Sequence, residues 1–560
     1  MKRGIPLRNN KRIVFWAVVF LAVSWFLVGP AFGAYAPPVG IPDPAASWGG
    51  TIDPIDDVAP AQPSAWPSGE AAGYYYIDKS HPSATDTGNP YGYPNKPRIT
   101  IPSTFAAGSY VEVHGGPYSN VTVTANGTAT NPVWFRGTAG SNPTFRGFSM
   151  KGSYAIFEYL NFDRQTEGAA FDYPSAYMTL RYSTYVGEGT YIGSNGSAFG
   201  CSGDSASQHN HHILFYANNI SNIGQWNYDT TYDYHGIKPR NDVDYVWILD
   251  CNIYHTQGDS VQTGEASLIG QNYPSHIYIG RLRSYEEKEN CVDIKGGSDI
   301  VVSEIVCSDL NNSYGDDEGG GVVIHNNASW VWVLNSLFYR NWIGALNTDG
   351  SNIYYVGNIA RNINGSTSST SYYGSGVAFH VRNSSTVAIV NNTVNNCDKG
   401  VQIATGVSSI RIANDIFSSR LNSSTYDIMA ASTSAVTVDS ALQDTELRVY
   451  WGGTTYTTVS GFQATGQCVR CPTEASPQFV NEAGDDFRLQ STSPAIDAGV
   501  SEAVYATFSN RYGFSIGIDR SSVTRPQSAG WDIGAYEFGG GGGGAGLQPN
   551  PPTGLHIISN

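Results

Sequence analysis

Lysine, histidine and amide side chains recur at the ends of short apolar triplets through the middle of this chain. The triplets are Gly236-Ile237-Lys238, Ser260-Val261-Gln262, Asp293-Ile294-Lys295, Val323-Ile324-His325, Ala345-Leu346-Asn347, Ala378-Phe379-His380 and Gln402-Ile403-Ala404. Histidine gives or takes a proton near neutral pH. Lysine supplies a compact positive charge and, when desolvated, a base. A column of such residues is therefore fitted to hold an anion and to move a proton beside it. Tyr234, His235 and Arg240 flank Lys238, and Trp226, Tyr228 and Tyr232 lie close by, in a long insertion. Aromatic rings with a polar edge suit the flat faces of sugars. The same lysines and histidines also fit plain solvated surface positions, and tyrosine is common on exposed β surfaces.

Other groupings read more weakly. His209, His211 and His212 lack zinc spacing and a carboxylate or thiolate partner, and read as a polar loop. Asp316-Asp317-Glu318 in a glycine-rich loop offers oxygen donors for Ca²⁺ but equally fits a solvated turn. Asp242 and Asp244 read as turn residues. Cys468-Val469-Arg470-Cys471 fits a small loop disulfide, since a zinc site needs a second ligand pair. Cys251, Cys291, Cys307 and Cys397 sit in or beside apolar strands and read as buried packing residues.

The elements that must position the triplets are short strands. Val246-Trp247-Ile248, Ile277-Tyr278-Ile279, Ile300-Val301-Val302, Val331-Trp332-Val333, Ile353-Tyr354-Tyr355, Val387-Ala388-Ile389 and Ile410-Arg411-Ile412 recur every 22 to 34 residues, the period of a stacked repeat. Gly, Asn, Asp and Ser separate them, and no long stretch has helical periodicity. Asn219, Asn252, Asn335, Asn358, Asn392 and Asn414 follow such strands; asparagine tolerates left-handed backbone and stacks in ladders. The pattern predicts an all-β solenoid, a right-handed single-stranded parallel β-helix over 110–426. With Ile237, Val261, Ile294, Ile324, Leu346, Phe379 and Ile403 inward, alternation places Lys238, Gln262, Lys295, His325, Asn347 and His380 in one outward column. Coils stack at about 4.8 Å. A one-residue slip reverses the face.

Around this body, residues 1–33 read as an export signal: a basic start, the apolar run Ile13 to Val28 and small residues at Ala31 and Gly33. Its removal leaves no span able to cross a membrane. Residues 34–73 form a Pro/Ala/Gly-rich linker or surface-hugging arm, 74–118 an N-terminal segment, 427–538 a C-terminal β segment closing the helix, and 539–560 a glycine run with a Pro-rich tail. Net charge is −16 at pH 7, which argues against a nucleic-acid partner. A polyanionic sugar then needs a local basic patch or a bridging cation. The expected setting is extracellular or at the cell surface, with a polysaccharide or cell-surface glycan as partner.

The repeats resemble the pectate-lyase-like right-handed β-helix superfamily. Val111-Glu112-Val113-His114-Gly115-Gly116-Pro117-Tyr118 resembles the opening coil of exported bacterial members. Ser493-Pro494-Ala495-Ile496-Asp497-Ala498-Gly499 and Asp532-Ile533-Gly534-Ala535-Tyr536-Glu537-Phe538 resemble their closing segment. Cys291-Val292-Asp293-Ile294-Lys295-Gly296-Gly297 resembles the strand that carries the catalytic lysine of alginate and chondroitin-B lyases. The resemblance implies Lys295 as the base of a β-elimination on uronate, with His325 and Lys238 assisting. The column and its surroundings make Gln262, Asp293, Asn347, His380, Tyr234, His235 and Arg240 candidate substrate contacts, and the resemblance implies Glu286, Glu287 and Glu289 as donors to Ca²⁺. The family carries an arginine on the next coil; this chain has His325. An inverting glycoside hydrolase is a further alternative, but it needs an acid and a carboxylate flanking the bond. Here Glu289-Asn290 stands in place of the aspartate pair of polygalacturonases, and Gly319-Gly320-Gly321 in place of their Gly-His-Gly. A non-catalytic adhesin or glycan-binding rod suits the acidic composition equally.

Overall fold

Strands only three to six residues long cannot stand alone, so each must find partners above and below. In the computed structural model of this chain they do so through one continuous parallel ladder. The structure describes residues 34–539 except 50, 67, 139–142, 164–167, 206, 228–230, 266–271, 311–318, 366–375, 422–424, 445–446 and 528. The export-signal reading, Asp316-Asp317-Glu318, Tyr228 and the glycine-rich tail beyond Gly539 lie outside the described residues. The chain divides into two units, Met1–Tyr35 and Ala36–Asn560, and all that follows lies in the second. Among the described residues no helix is long and apolar enough to cross a membrane.

The fold is a right-handed parallel β-helix. Parallel pairing runs from Tyr74–Asp78, against Tyr110–His114, to Val449–Trp451, past both ends of the stretch over which the repeats are legible. Each central coil contributes three strands. The first wall stacks Tyr234–Pro239, Val261–Thr263, Val292–Lys295, Gly320–His325, Ile343–Asn347, Val377–Val381 and Lys399–Ile403. The second stacks Val243–Leu249, Ser275–Gly280, Ser298–Ser303, Ser329–Leu334 and Ser351–Val356. The third stacks Asn252–Thr256, Arg283–Tyr285, Val306–Ser308, Leu337–Tyr339 and Ile359–Arg361. The interior is apolar throughout, with phenylalanines such as Phe135, Phe145 and Phe157 towards the N-terminal end and Ile/Val rows after them.

The coil must turn sharply between the second and third walls, and one residue per coil does it in the left-handed region. These are Ala217, Asp250, Arg281, Glu304, Asn335, Asn391 and Asn414, with glycine at 357. The following position is buried and carries a polar ladder wherever the side chain allows. The Ser336 N–H donates to Asn358 Oδ1 at 2.9 Å, Asn358 Nδ2 to Asn392 Oδ1 at 3.0 Å, and Asn392 Nδ2 to Asp415 Oδ1 at 2.9 Å. The ladder satisfies buried polar groups coil by coil, which is what makes their burial tolerable. The six asparagines of the sequence thus take three roles: turn formers (Asn335, Asn414), buried ladder rungs (Asn358, Asn392), and a pair that opens third-wall strands, where Asn252 Nδ2 donates to Asn219 Oδ1 at 2.8 Å.

The outer face of the second wall is covered by two segments, residues 38–42 and residues 503–516. Trp247 Nε1 donates to Pro42 O at 2.9 Å, and the Val39 N–H to Glu304 Oε1 at 2.9 Å. In the second segment, helix Ala503–Tyr512 lays Phe508 edge-on to Trp332 at 4.8 Å, and Arg511 pairs with Asp299 at 2.6 Å. Gly40 sits where the two meet; a Cβ there runs into Leu334 and Ile516. Two cysteines read as packing residues are in fact bonded: Cys291 and Cys307 form a disulfide between the first and third walls, alongside Cys468–Cys471. Their Cα atoms stand 6.0 Å apart, a separation within bonding range that 16 residues of sequence did not disclose. Cys201, Cys251 and Cys397 are free and buried.

Candidate functional site

The first wall decides which candidate residues can act together. Its register pairs Gln262 with Asp293, Asp293 with Val323, Leu346 with His380, and His380 with Gln402. Lys295 pairs with His325. The expected single column is therefore two: Gln262, Asp293, Val323, Leu346 and His380 in one row, and Lys295 with His325 in a second row two residues further along the strand. Lys238 and Gln262 each follow a member of the pair Ile237–Val261, which puts Lys238 in the first row.

Two placements are corrections. Asn347 pairs with Ile324 and Val381, both core residues, so it faces inward; its Oδ1 accepts the Gly350 N–H at 2.9 Å and closes the turn. Leu346 faces outward instead, in a small apolar cluster with Val323 and Ile343. The strand Ile343-Gly344-Ala345-Leu346-Asn347 has small residues inside and a large one outside, which inverts the usual size cue. Tyr234 is the second correction: its ring is buried in the interior cluster rather than presented to a ligand. Of its neighbours, Trp226 stacks on His255 at 4.8 Å, and Tyr232 is the exposed ring, at 40 %.

The charged side chains form a connected set. Asp293 is buried and accepts His325 Nε2–H on Oδ1 at 2.7 Å and Lys295 Nζ on Oδ2 at 3.2 Å. Burial works to raise the Asp293 carboxyl, but Lys295 and His325 outweigh it and hold it well below the usual carboxylate range. Both partners keep 26 % of their side-chain surface exposed, so the buried carboxylate lies beneath a reachable rim of lysine and histidine. Lys238 is buried with Nζ 2.8 Å from Glu265 Oε2. Gln262 is buried and donates to Gly264 O at 3.2 Å. Arg240 lies just past its strand, half-buried, its N–H on Cys201 O. His380 is buried and stands 3.5 Å from Gln402 Nε2. Its row and its coil both separate it from Lys295.

The three glutamates implied as calcium donors do not converge. Glu286 pairs with His255 at 2.8 Å near the third wall. Glu287 is wholly buried and accepts from the Thr256 N–H and hydroxyl at 2.6 Å. Glu289 lies beside Lys288 at 3.1 Å. Consecutive residues on a turning chain point to different walls, so three near-adjacent acids cannot all meet one ion here.

Glu287 carries a measurable consequence. Burial raises its carboxyl to about 7 against the partly opposing hydrogen bonds of Ser260 and Thr256. The folded chain then holds a proton that the unfolded chain loses above its ordinary value of 4.5. This contribution to stability is complete below that value and is lost as pH rises through 7, a fall of about 3 kcal/mol. The Glu287→Gln variant is expected to lack that fall when denaturation midpoints are compared at about pH 5 and about pH 8. An unchanged slope in the variant would show that Glu287 does not titrate in this range.

In the histidine group near residue 210, His209 does have a carboxylate beside it, Asp244 Oδ1 at 3.3 Å, contrary to the sequence reading, while His212 is held in an aromatic stack. His212 stacks between Tyr177 at 4.6 Å and Tyr245 at 4.7 Å, and the stack continues to Tyr154 and His276. The rings spend their faces on one another. Burial, with His211 and His209 beside it, pushes the His212 imidazole down to about 4. Sequence reasoning missed Asp259 and Asp233, which lie beside His235 and Lys288; isolated acids in turns give no pattern to find.

Site and fold together define a right-handed parallel β-helix with a lysine and a histidine over a buried acid. No protein-family model and no curated protein matches this sequence. Among solved structures, the chain is similar to a PL6 alginate lyase complexed with a trisaccharide, at 10% identity over 69% of this chain and 92% of that one, TM-score 0.41. It is similar to PfbA, a surface adhesin of Streptococcus pneumoniae, at 12% identity over 57% and 86%, TM-score 0.42. It is also similar to the mannuronan C-5 epimerase AlgE6 A-module of Azotobacter vinelandii, at 13% identity over 61% and 87%, TM-score 0.39.

Proposed function

We propose that this chain is an exported, carbohydrate-active protein that cleaves a uronate-containing polysaccharide by β-elimination on its first wall. The observation that carries the reading is Asp293, a buried carboxylate bridging Lys295 and His325 on adjacent coils of that wall. The resemblance implies Lys295 as the base with His325 assisting; the Asp293 bridge supports the reverse division of the work. Asp293 stabilises the ammonium of Lys295, which suits it to hold the substrate carboxylate. Asp293 also takes the Nε2–H of His325, which puts the lone pair of the neutral imidazole on Nδ1. His325 then removes the proton beside the uronate carboxylate. The electron pair of the broken C–H bond forms the new C=C bond, the C–O bond to the next sugar breaks, and the departing oxygen gains a proton from water.

The chain is incubated with alginate, pectate and glycosaminoglycans, with and without calcium, and unsaturated product is followed by its ultraviolet absorbance. Product on one of these polymers is expected; none on any of them sinks the reading. A second reading, a non-catalytic glycan-binding surface rod, is favoured by one observation: Lys238, Lys288 and Lys295 already have carboxylate partners. Glycan-array binding without turnover supports that alternative.

A further inference from the structure

His235, Asp259 and Glu289 come from three successive coils of the first wall, just before or within the strands Tyr234–Pro239, Val261–Thr263 and Val292–Lys295. Among the described residues they are the grouping of His, Asp and Glu whose donor atoms all lie within 4.8 Å of one another. Two of the three are almost wholly buried, His235 at 2% and Asp259 at 0% exposure, and Glu289 closes the outer side at 9%.

The pocket is not satisfied by its own hydrogen bonds. Asp259 Oδ1 accepts the Asn290 N–H at 3.0 Å and its Nδ2 at 3.1 Å. Asp259 Oδ2 is buried and takes no hydrogen bond. It stands 3.1 Å from His235 Nδ1, which in turn accepts the Asp259 N–H at 3.1 Å. Asp259 Oδ2 thus lies in the interior beside an imidazole and without a hydrogen-bond donor, an arrangement that is costly unless a positive centre joins it. On the other side, the carboxylates of Asp233 and Glu289 are in hydrogen-bonding contact with each other. Lys288 Nζ, 2.8 Å from Asp233 and 3.1 Å from Glu289, is the ammonium that serves them. The nearby Lys238 and Lys295 pair with Glu265 and Asp293.

We infer that His235, Asp259 and Glu289 bind one first-row divalent cation, of the Zn²⁺ or Mn²⁺ class, which staples three successive coils together. An imidazole nitrogen with two carboxylates is a donor set for such ions, whereas calcium takes six to eight oxygens. The burial makes the ion structural rather than substrate-facing. The inference does not depend on the glycan reading and uses none of its residues.

The purified full chain is stripped with a chelator, desalted, and titrated with ZnCl₂, MnCl₂ or CaCl₂ without any glycan. Bound metal is counted after gel filtration, and the melting temperature is read. One zinc or manganese ion retained per chain is expected, with a rise in melting temperature of several degrees. Calcium is expected to give a clearly smaller rise. Asp259→Asn and Glu289→Gln each remove the retained ion and the rise, while Lys295→Ala keeps both. Glu289 sits at the rim, so its variant reports even if the buried Asp259→Asn fails to fold. No retained ion, an ion retained equally by the Glu289→Gln protein, or calcium binding as well as zinc overturns the assignment. None of these outcomes bears on whether Lys295 and His325 act on a polysaccharide.

Discussion

Replacing Lys295 by alanine is expected to lower turnover of the acidic polysaccharide about 10³-fold, with His325→Ala close behind. The two losses differ in kind. Lys295 holds the carboxylate in the ground state and stabilises the charge that develops as the proton leaves, so its removal raises KM and lowers kcat. His325 acts in the proton transfer alone, so its removal lowers kcat and leaves KM near the original value. Asp293→Asn keeps the shape of the site but removes the charge that both partners share. It is expected to lose activity as the single variants do, and the Lys295→Ala/Asp293→Asn double variant to lose little more, because the residues act as one unit. Steady-state kinetics on the polymer that gives unsaturated product provide the check. Full activity in Lys295→Ala ends the case for this wall as the reacting surface.

Trp332→Ala is expected to be the most damaging single change to the fold. Trp332 is 0% exposed, although its side chain points away from the interior of the coil. It stacks on Tyr354 at 3.8 Å and receives the edge of Phe508 from helix Ala503–Tyr512 at 4.8 Å. Truncation removes the ring that joins the solenoid to the C-terminal segment, at a cost of about 3–5 kcal/mol. Because a solenoid is stabilised between neighbours, the loss is local before it is global. Protease should nick residues 477–538 in the variant under conditions that leave the parent chain whole, and the denaturation midpoint should fall with it. Loss of less than about 1 kcal/mol with no new cleavage contradicts the role given to this ring.

How far the site could be read in advance depended on parity and on row. Ile237, Ile294, Ile324 and Phe379 were legible as inward residues because a large apolar side chain between polar neighbours has one place to go. That fixed the faces of Lys295 and His325, and they do stand on adjacent coils. Rows were not legible, because each strand has two inward positions and the sequence does not say which pairs with which. Val261 meets Val292 rather than Ile294, so Gln262 lies beside Asp293. At Ala345-Leu346-Asn347 even the face was misread, since a buried asparagine closing a turn looks the same in sequence as an exposed one.

What the sequence determined by itself was periodic: the all-β solenoid, the asparagine turns at Asn335 and Asn414, and the lysine and histidine of one wall. Periodicity survives in one dimension because every coil repeats the same choice between inside and outside. The tertiary structure alone decided the non-repeating contacts. These are the disulfide between Cys291 and Cys307, the segments 38–42 and 503–516 laid over the second wall, and the approach of Asp259 to His235 across 24 residues. Such contacts depend on how the coils are stacked and offset, and no local pattern in the chain records that offset.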